Sequence, residues 1–277
     1  MSINPVDTNS LQETYFKTEE VSIAPFIKIK EGEEQPDRYR RNDGISGSGQ
    51  FPQSGLKYLL ENKVGNQFLV IDLRQEFHGF INGNPISWRL GTGKDKHGYN
   101  HQLDADEIEE KEKELLSQYA LNHDFFFETD KGNQNILVQS VATERELVEG
   151  VGACYVRIPI TDESFPNDVN VDRLIQIIAS FPKELEIHLH CAAGRGRTTT
   201  VWAMIDMMRD PNSLLEDILI KQKQKKRGSN LLKKSDKLEF LREFYRYCRE
   251  NPTFSQSWSS WKSQSNLAAF RTGFKRV

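Results

Sequence analysis

His190 and Cys191 are followed by Ala192, Ala193, Gly194, Arg195 and Gly196, and then by Arg197 and Thr198. A thiol attacks only as its thiolate, and the residues around this one favour that form. Gly194 and Gly196 let the backbone curl, so that the amides of residues 192–197 converge as a nest for an anion. The β-rich run Glu184-Leu-Glu-Ile-His-Leu-His190 enters the turn and a helix-like segment, Thr198 to Met208, leaves it. The loop therefore lies at the positive end of a helix. Arg197 offers a planar fork that grips two oxygens at once, which a lysine there could not do. A thiolate facing a tetrahedral anion is arranged for nucleophilic attack on phosphorus. Thr198 can donate its hydroxyl to the sulfur or cap the helix, and the two roles are compatible. His190 can orient the loop through its ring nitrogens. Arg195 adds a second cation, suited to a substrate with several phosphates or to pairing with a local acid such as Glu163.

A cysteine and an arginine five residues apart are weak evidence alone. The full set, with a strand before and a helix after, is specific. The competing reading is a glycine-rich turn around a buried structural cysteine. Cleavage of a phosphomonoester also needs a proton for the leaving oxygen and, later, an activated water. Asp162, in Thr161-Asp-Glu-Ser-Phe-Pro166, is the candidate, on a loop that Phe165-Pro166 could hinge over the site. Glu163 is the competing acid. Asp162 could instead cap the next helix, although Asp168 is better placed for that.

Several elements must position these groups. Phe68-Leu-Val-Ile-Asp-Leu-Arg74 is a continuous apolar run ending in charge, as expected of a buried parallel strand whose carboxyl end opens at a site. Asp72 and Arg74 at that end are either a strand-end ion pair or substrate contacts. Tyr155 to Ile160 is a second strand, and Val169 to Phe181 an amphipathic helix leading into the cysteine's strand. Strand, helix, strand, helix is the order of a parallel α/β sheet. Helical stretches follow at Ser213 to Lys225 and Lys234 to Glu250, then a tail with Trp258 and Trp261. Residues 77–157 change character, with a loop at 91–101, a charged helix from Ala105 to Tyr119 and strand-like runs at 125–129 and 136–143. They read as a small inserted β-rich subdomain. Residues 1–35 read as a polar lead-in draped over the surface or partly disordered. Gly44 to Gly55, rich in glycine and serine, reads as loop. The arginines of Asp37-Arg-Tyr-Arg-Arg41 form either a solvated face or a phosphate-contacting edge, with Arg40 and Arg41 the candidates. The basic run at 221–234 is either solubilising charge or a wall of the cleft.

The chain of 277 residues, 37% hydrophobic and 28% charged, has the composition of a globular protein with a substantial core. A net charge of −3 argues against a nucleic-acid partner. No apolar run approaches a membrane span, so no stable membrane insertion is expected, and no signal peptide is evident. The three cysteines lack metal-ligand spacing, and neither a disulfide framework nor a metal site is expected. Free thiols suit a cytoplasmic-type compartment, with export or delivery into a host cell left open.

Three stretches together resemble the protein-tyrosine-phosphatase-like inositol polyphosphatases, the cysteine phytases. They are Asp72-Leu-Arg-Gln-Glu-Phe-His-Gly-Phe80, Thr161-Asp-Glu-Ser-Phe-Pro166 and His190-Cys-Ala-Ala-Gly-Arg-Gly-Arg-Thr-Thr-Thr200. The Phe244-Tyr-Arg-Tyr-Cys-Arg-Glu250 helix and the tryptophan tail are also similar. The resemblance implies an α/β fold: a phosphatase core, residues 36–76 and 158–277, with a central mainly parallel sheet flanked by helices and a small β-barrel-like insertion. It implies a phosphatase that needs no cofactor and removes phosphates stepwise from myo-inositol hexakisphosphate through a cysteinyl-phosphate. Cys191 is then the nucleophile, Asp162 the acid and Arg197 the phosphate ligand. Asp72 and an arginine of 38–41 then line the substrate pocket. Relatives often carry a histidine and a Trp-Pro where this chain has Glu163 and Phe165-Pro166, which bears on substrate contacts rather than on the nucleophilic step. The rival readings are a phosphotyrosine, dual-specificity or phosphoinositide phosphatase, and a non-catalytic polyphosphate-binding module.

Overall fold

A computed structural model describes residues 23–29, 35–90, 103–182, 184–224 and 235–273. The lysine-bearing loop at 92–97 and residues 225–234 of the basic run lie outside the described residues. In chain order the strands are β1 (Ile23–Ile27), β2 (Arg40–Asn42), β3 (Ile45–Ser48), β4 (Phe68–Arg74), β5 (His78–Ile81), β6 (Asn84–Leu90), β7 (Asp124–Thr129), β8 (Gln134–Leu137), β9 (Val141–Ala142), β10 (Cys154–Ile160) and β11 (Glu186–His190). The helices are α1 (Gln53–Glu61), α2 (Ala105–Leu116), α3 (Glu144–Gly150), α4 (Asp168–Ser180), α5 (Gly196–Arg209), α6 (Leu215–Gln224), α7 (Ser235–Glu250) and α8 (Trp258–Gly273). The chain divides into two compact units, Glu33–Gln75 with Arg145–Val277, and Met1–Gly32 with Glu76–Glu144.

The larger unit is built on a five-stranded sheet in the order β10-β4-β11-β3-β2, parallel except for β2 at one edge. All seven residues of β4 are buried, as a strand covered on both faces requires. The central strand β11 buries two histidines, and its neighbours make this tolerable. The ring nitrogens of His188 meet the hydroxyls of Ser46 at 2.9 Å and Ser48 at 3.0 Å, both on β3. The His190 ring packs edge-on against Phe51, centroids 5.0 Å apart. Helix α5 is buried from Arg197 through Ile205, with β3 and β11 on one side and α6 and α7 on the others.

Residues 44–55, expected as loop, contain β3. Small residues in that strand follow from close packing. A Cβ on Gly47 would come within 2.9 Å of Thr198 Cγ2 and 3.2 Å of Trp202 Cζ3. The composition that reads as a flexible loop is here the price of laying a strand against a helix.

In the smaller unit six strands pair in the order β8-β7-β1-β6-β5-β9, and the sheet curls as a half-barrel. Ile23–Ile27, expected within a surface lead-in, is the strand β1. It runs antiparallel to β6 and parallel to β7. Its partners are about sixty and a hundred residues further along the chain, so no local periodicity announces it. Helix α2 starts at a capping box, in which Asp104 accepts from Glu107 N and Glu107 accepts from Asp104 N. Strand β10 pairs with β4, so the break between units falls at Glu144/Arg145 and not at the expected residue 157.

An aromatic cluster closes the C-terminal side of the larger unit. Trp258, fully buried, lies 5.5 to 6.1 Å from the rings of Phe240, Phe244, Tyr247 and Trp261. Its Nε1 donates to Asp168 at 2.7 Å. Replacing Trp258 by alanine is expected to cost about 3–5 kcal/mol in urea unfolding. The exposed Val169→Ala is expected to stay within about 0.5 kcal/mol of the parent.

Candidate active site

The turn between β11 and α5 is shaped by what grips its carbonyls. The carbonyl of Ala192 accepts from Gln50 N at 3.2 Å, that of Ala193 from Arg38 Nη1 at 2.9 Å, and that of Gly194 from Arg40 Nη1 at 2.8 Å. The carbonyl of Arg195 accepts from Thr199 N at 3.0 Å and from the Thr199 hydroxyl. In a trans peptide the C=O and the following N–H point opposite ways. Pulling these four carbonyls outward therefore turns the amides of residues 193–196 inward, at the N-terminus of α5. Gly194 has φ +66°, and a Cβ there would lie 2.3 Å from Gly49 N and from Ser48 C. Both obstacles are backbone, so no side-chain movement relieves them.

Cys191 sits at the start of this turn, 3% exposed, and the Thr198 hydroxyl donates to its Sγ at 3.2 Å. Arg197, buried, is held from the ends of two strands. Its Nη1 donates to the carbonyl of Ile160 at 3.1 Å and of Leu73 at 3.4 Å, and its Nη2 lies 3.1 Å from Asp162 Oδ1. Asp162 is about one-third exposed and follows β10 directly. Its loop is pinned by a turn from Ser164 N to Thr161 O and by the Phe165 ring, stacked on Phe240 of α7 at 4.6 Å and 14°. Glu163 is exposed and left-handed, φ +60°. The cap of α4 is Asn167, which accepts from Asn170 N; Asp168 instead accepts from Trp258 and Lys262.

The structure thus brings Cys191, Arg197, Thr198, Asp162 and the loop residues 192–196 together. Arg195 is exposed, and its side chain meets no acid among the described residues. The other expected contacts are relocated. Asp72 is fully buried, with the Tyr155 hydroxyl and Arg157 Nε each 3.1 Å from Oδ2 and the Arg74 amide 2.9 Å from Oδ1. It is a buried ion-pair centre with no surface to offer a substrate, because β10 covers it. The ring of His190 lies 3.7 Å from Asp72 of β4 through Nε2. Arg40 reaches the loop from behind and is spent on its carbonyl. Arg41 pairs with Glu186 at 2.9 Å, the first residue of β11. Five residues of strand separate that point from Cys191, roughly 16 Å, which removes Arg41 from the site. Lys221, in the basic run, pairs with Asp43 in the turn before β3 and does not line the loop.

Gln50 and Lys237 escaped the sequence reading, in which Arg38 counts only as one of the arginines of 38–41. Arg38 and Gln50 act through the loop carbonyls, and only the fold brings them there. Lys237 is buried, and a Cβ on Gly196 would lie 3.3 Å from its Nζ. It carried a signal, since it shares with Phe240, Leu241 and Phe244 the inner-face spacing of α7, where a lysine is out of place. Among the described residues no group of three or more His, Cys, Asp or Glu is arranged to hold a metal ion.

A thiol at a helix-terminal anion nest, on the central strand of a parallel sheet, is the architecture of the cysteine-based phosphatases. Residues 71–209 match the model of the protein-tyrosine-phosphatase-like phytases, described by the term inositol hexakisphosphate, and the chain belongs to that family. The tandemly repeated phytase of Mitsuokella multacida is 27% identical with a TM-score of 0.75, over 87% of this chain and 49% of that one. The protein-tyrosine-phosphatase-like phytase of Bdellovibrio bacteriovorus is 26% identical with a TM-score of 0.72, over 86% of this chain and 94% of that one. The effector protein hopD2 of Pseudomonas syringae pv. tomato is 30% identical over 222 residues, 73% of this chain and 47% of its own length. The chain thus spans about half the length of hopD2 and of the Mitsuokella protein.

Gly194→Ala tests the nest directly. The substitution is expected to cost roughly 1–3 kcal/mol of stability. It should also weaken tungstate binding at least tenfold by calorimetry, since the inward amides cannot keep their places.

Proposed function

We propose that this chain is a phosphomonoesterase that removes phosphates stepwise from myo-inositol hexakisphosphate and lower inositol polyphosphates, through a cysteinyl-phosphate and without a metal step. The observation that carries this reading is one loop bordered by the Cys191 thiol, by inward amides and by the Arg197–Asp162 pair at 3.1 Å. In the first step the Cys191 sulfur bonds to phosphorus as the bond to the inositol oxygen breaks. Asp162 gives that oxygen its proton, while Arg197 and the loop amides hold the equatorial oxygens. In the second step Asp162 takes a proton from water, the water oxygen bonds to phosphorus, and the sulfur leaves as a thiolate that accepts from Thr198.

A polyanionic substrate is supported by a cation beyond Arg197: Arg195 is exposed at the loop. A related Mitsuokella phosphatase structure is a complex with myo-inositol-(1,3,4,5)-tetrakisphosphate. The likeness to hopD2 supports action as an effector delivered into another cell. Among the described residues no helix is long and apolar enough to cross a membrane.

Phosphate release from inositol hexakisphosphate, a phosphotyrosine peptide and a phosphoinositide, compared side by side, tests the substrate class. The inositol polyphosphate should be preferred, and preference for either of the others overturns that part. Cys191→Ser should lose more than about 10³-fold in kcat, and Asp162→Asn about 10²–10⁴-fold. A Cys191→Ser protein as active as the parent would remove the mechanism altogether.

A further inference from the structure

Arg40 is 7% exposed, on an edge strand whose register sets it opposite Gly47. Its Nη1 donates to the carbonyls of Gly194 at 2.8 Å and Arg38 at 3.3 Å, and its Nη2 to the Thr199 hydroxyl at 3.1 Å. The guanidinium lies 5.5 Å from the centroid of the Trp202 ring. Every partner is a neutral oxygen or a ring face. Among the described residues no carboxylate lies within ion-pair distance of Arg40.

A buried charge is costly unless an opposite charge answers it. Burial pulls the Arg40 pKa down to about 10, and the group whose negative charge works against that fall is Cys191. Arg197 differs, since the Asp162 carboxylate already neutralises it at 3.1 Å. The sulfur accepts from the Thr198 hydroxyl, and the charged or titratable groups on and behind the loop include Arg38 on the Ala193 carbonyl, the exposed Arg195, Lys237 beside Gly196 and the His190 ring turned toward Asp72. Arg40 therefore stands behind the loop as a buried cation without a carboxylate partner among the described residues, held on the Gly194 carbonyl three residues from Cys191 and on Thr199, next to the threonine that donates to the sulfur. By holding the Gly194 carbonyl it also fixes the inward direction of the Arg195 amide.

We propose that Arg40 is the internal counter-ion of the Cys191 thiolate and a positioning residue for the anion-binding loop, acting through the Gly194 carbonyl. This rests on the reading of Cys191 as the nucleophile. It assigns Arg40 a role at the rear of the loop, reached without touching substrate. Arg40 promotes ionisation by charge and organises the amides by its fork, and the two contributions are separable. A lysine would keep the charge and lose the simultaneous grip on Gly194 and Thr199.

The test is iodoacetamide alkylation of the full chain as a function of pH, with Cys191→Ser as the background for the exposed Cys154 and the buried Cys248. Vanadate inhibition of p-nitrophenyl phosphate turnover is measured alongside. In Arg40→Met, Cys191 alkylation at pH 6 should slow about tenfold while the rate above pH 9 stays that of the parent. Arg40→Lys should recover most of the pH 6 rate. Vanadate inhibition should weaken about tenfold in both variants. A residue that merely braced the fold would lower the melting temperature of Arg40→Met and leave its alkylation profile in place, which overturns the proposal. Arg40→Lys alkylated as slowly as Arg40→Met overturns the charge role. If Arg40→Met does not fold, Arg40→Lys decides: parent-like alkylation with weakened vanadate inhibition supports the proposal, and parent-like values of both overturn it. Alkylation needs no substrate, so failure to hydrolyse inositol hexakisphosphate would overturn the proposed function without bearing on this result.

Discussion

Four carbonyls facing away from an anion site are the constraint on which the larger unit depends. Those of residues 192–195 are each gripped from outside, by Gln50, Arg38, Arg40 and Thr199 in turn. Backbone amides make an anion site only if their carbonyls are satisfied elsewhere, because a buried C=O pointing inward would repel the ligand and go unpaired. Three of the four grips come from the segment between residues 37 and 50, which wraps the rear of the turn, and the fourth comes from the first turn of α5. The segment's strand β3 lies beside β11 and leaves no room for a side chain at Gly194.

The same logic explains why so many polar groups lie inside this sheet. Asp72 gathers Tyr155 and Arg157 from the first half of β10 and the Arg74 amide from the end of β4, one residue before the Leu73 carbonyl that Arg197 meets together with that of Ile160. Breaking up such a network strands buried charges, at about 3–5 kcal/mol when one partner of a buried pair is removed. Its geometry is therefore stiff, and it fixes the strand ends from which Arg197 is held. The loop carrying Asp162 is secured differently, by Phe165 stacked on Phe240 at the margin of the aromatic cluster. An aromatic stack resists sliding less than a buried ion pair does. Asp162 thus sits on the more movable of the two supports, which suits the acid role proposed for it.

Much of the site was legible from the chain alone, because its meaning is local. The residues from His190 to Thr200 carry their own geometry: glycines where the backbone curls, an arginine at the reach of one turn, a threonine in the first turn of a helix. The turn at Thr161 to Pro166 was legible for the same reason, and so was β4, whose unbroken apolar run admits one environment.

What depended on distant partners was not legible in that way. Composition marks Gly44 to Gly55 as loop, and only pairing with β11 and β2 makes residues 45–48 a strand, with Gly47 packed against α5. Arg38, Arg40 and Arg41 are near-identical in the sequence, yet one holds Ala193, one holds Gly194 and one pairs with Glu186 at the far end of β11. Asp72 reads as a strand-end carboxylate, and the pairing of β10 alongside makes it wholly interior. By itself the sequence determined the glycine-rich turn between Cys191 and Arg197, the neighbouring loop of Asp162 and the mainly parallel sheet, since short-range backbone preference and side-chain type suffice for these. Tertiary structure decided which cations face the loop and which are spent elsewhere, because the direction of a long charged side chain is set by the acceptors that packing brings within its reach.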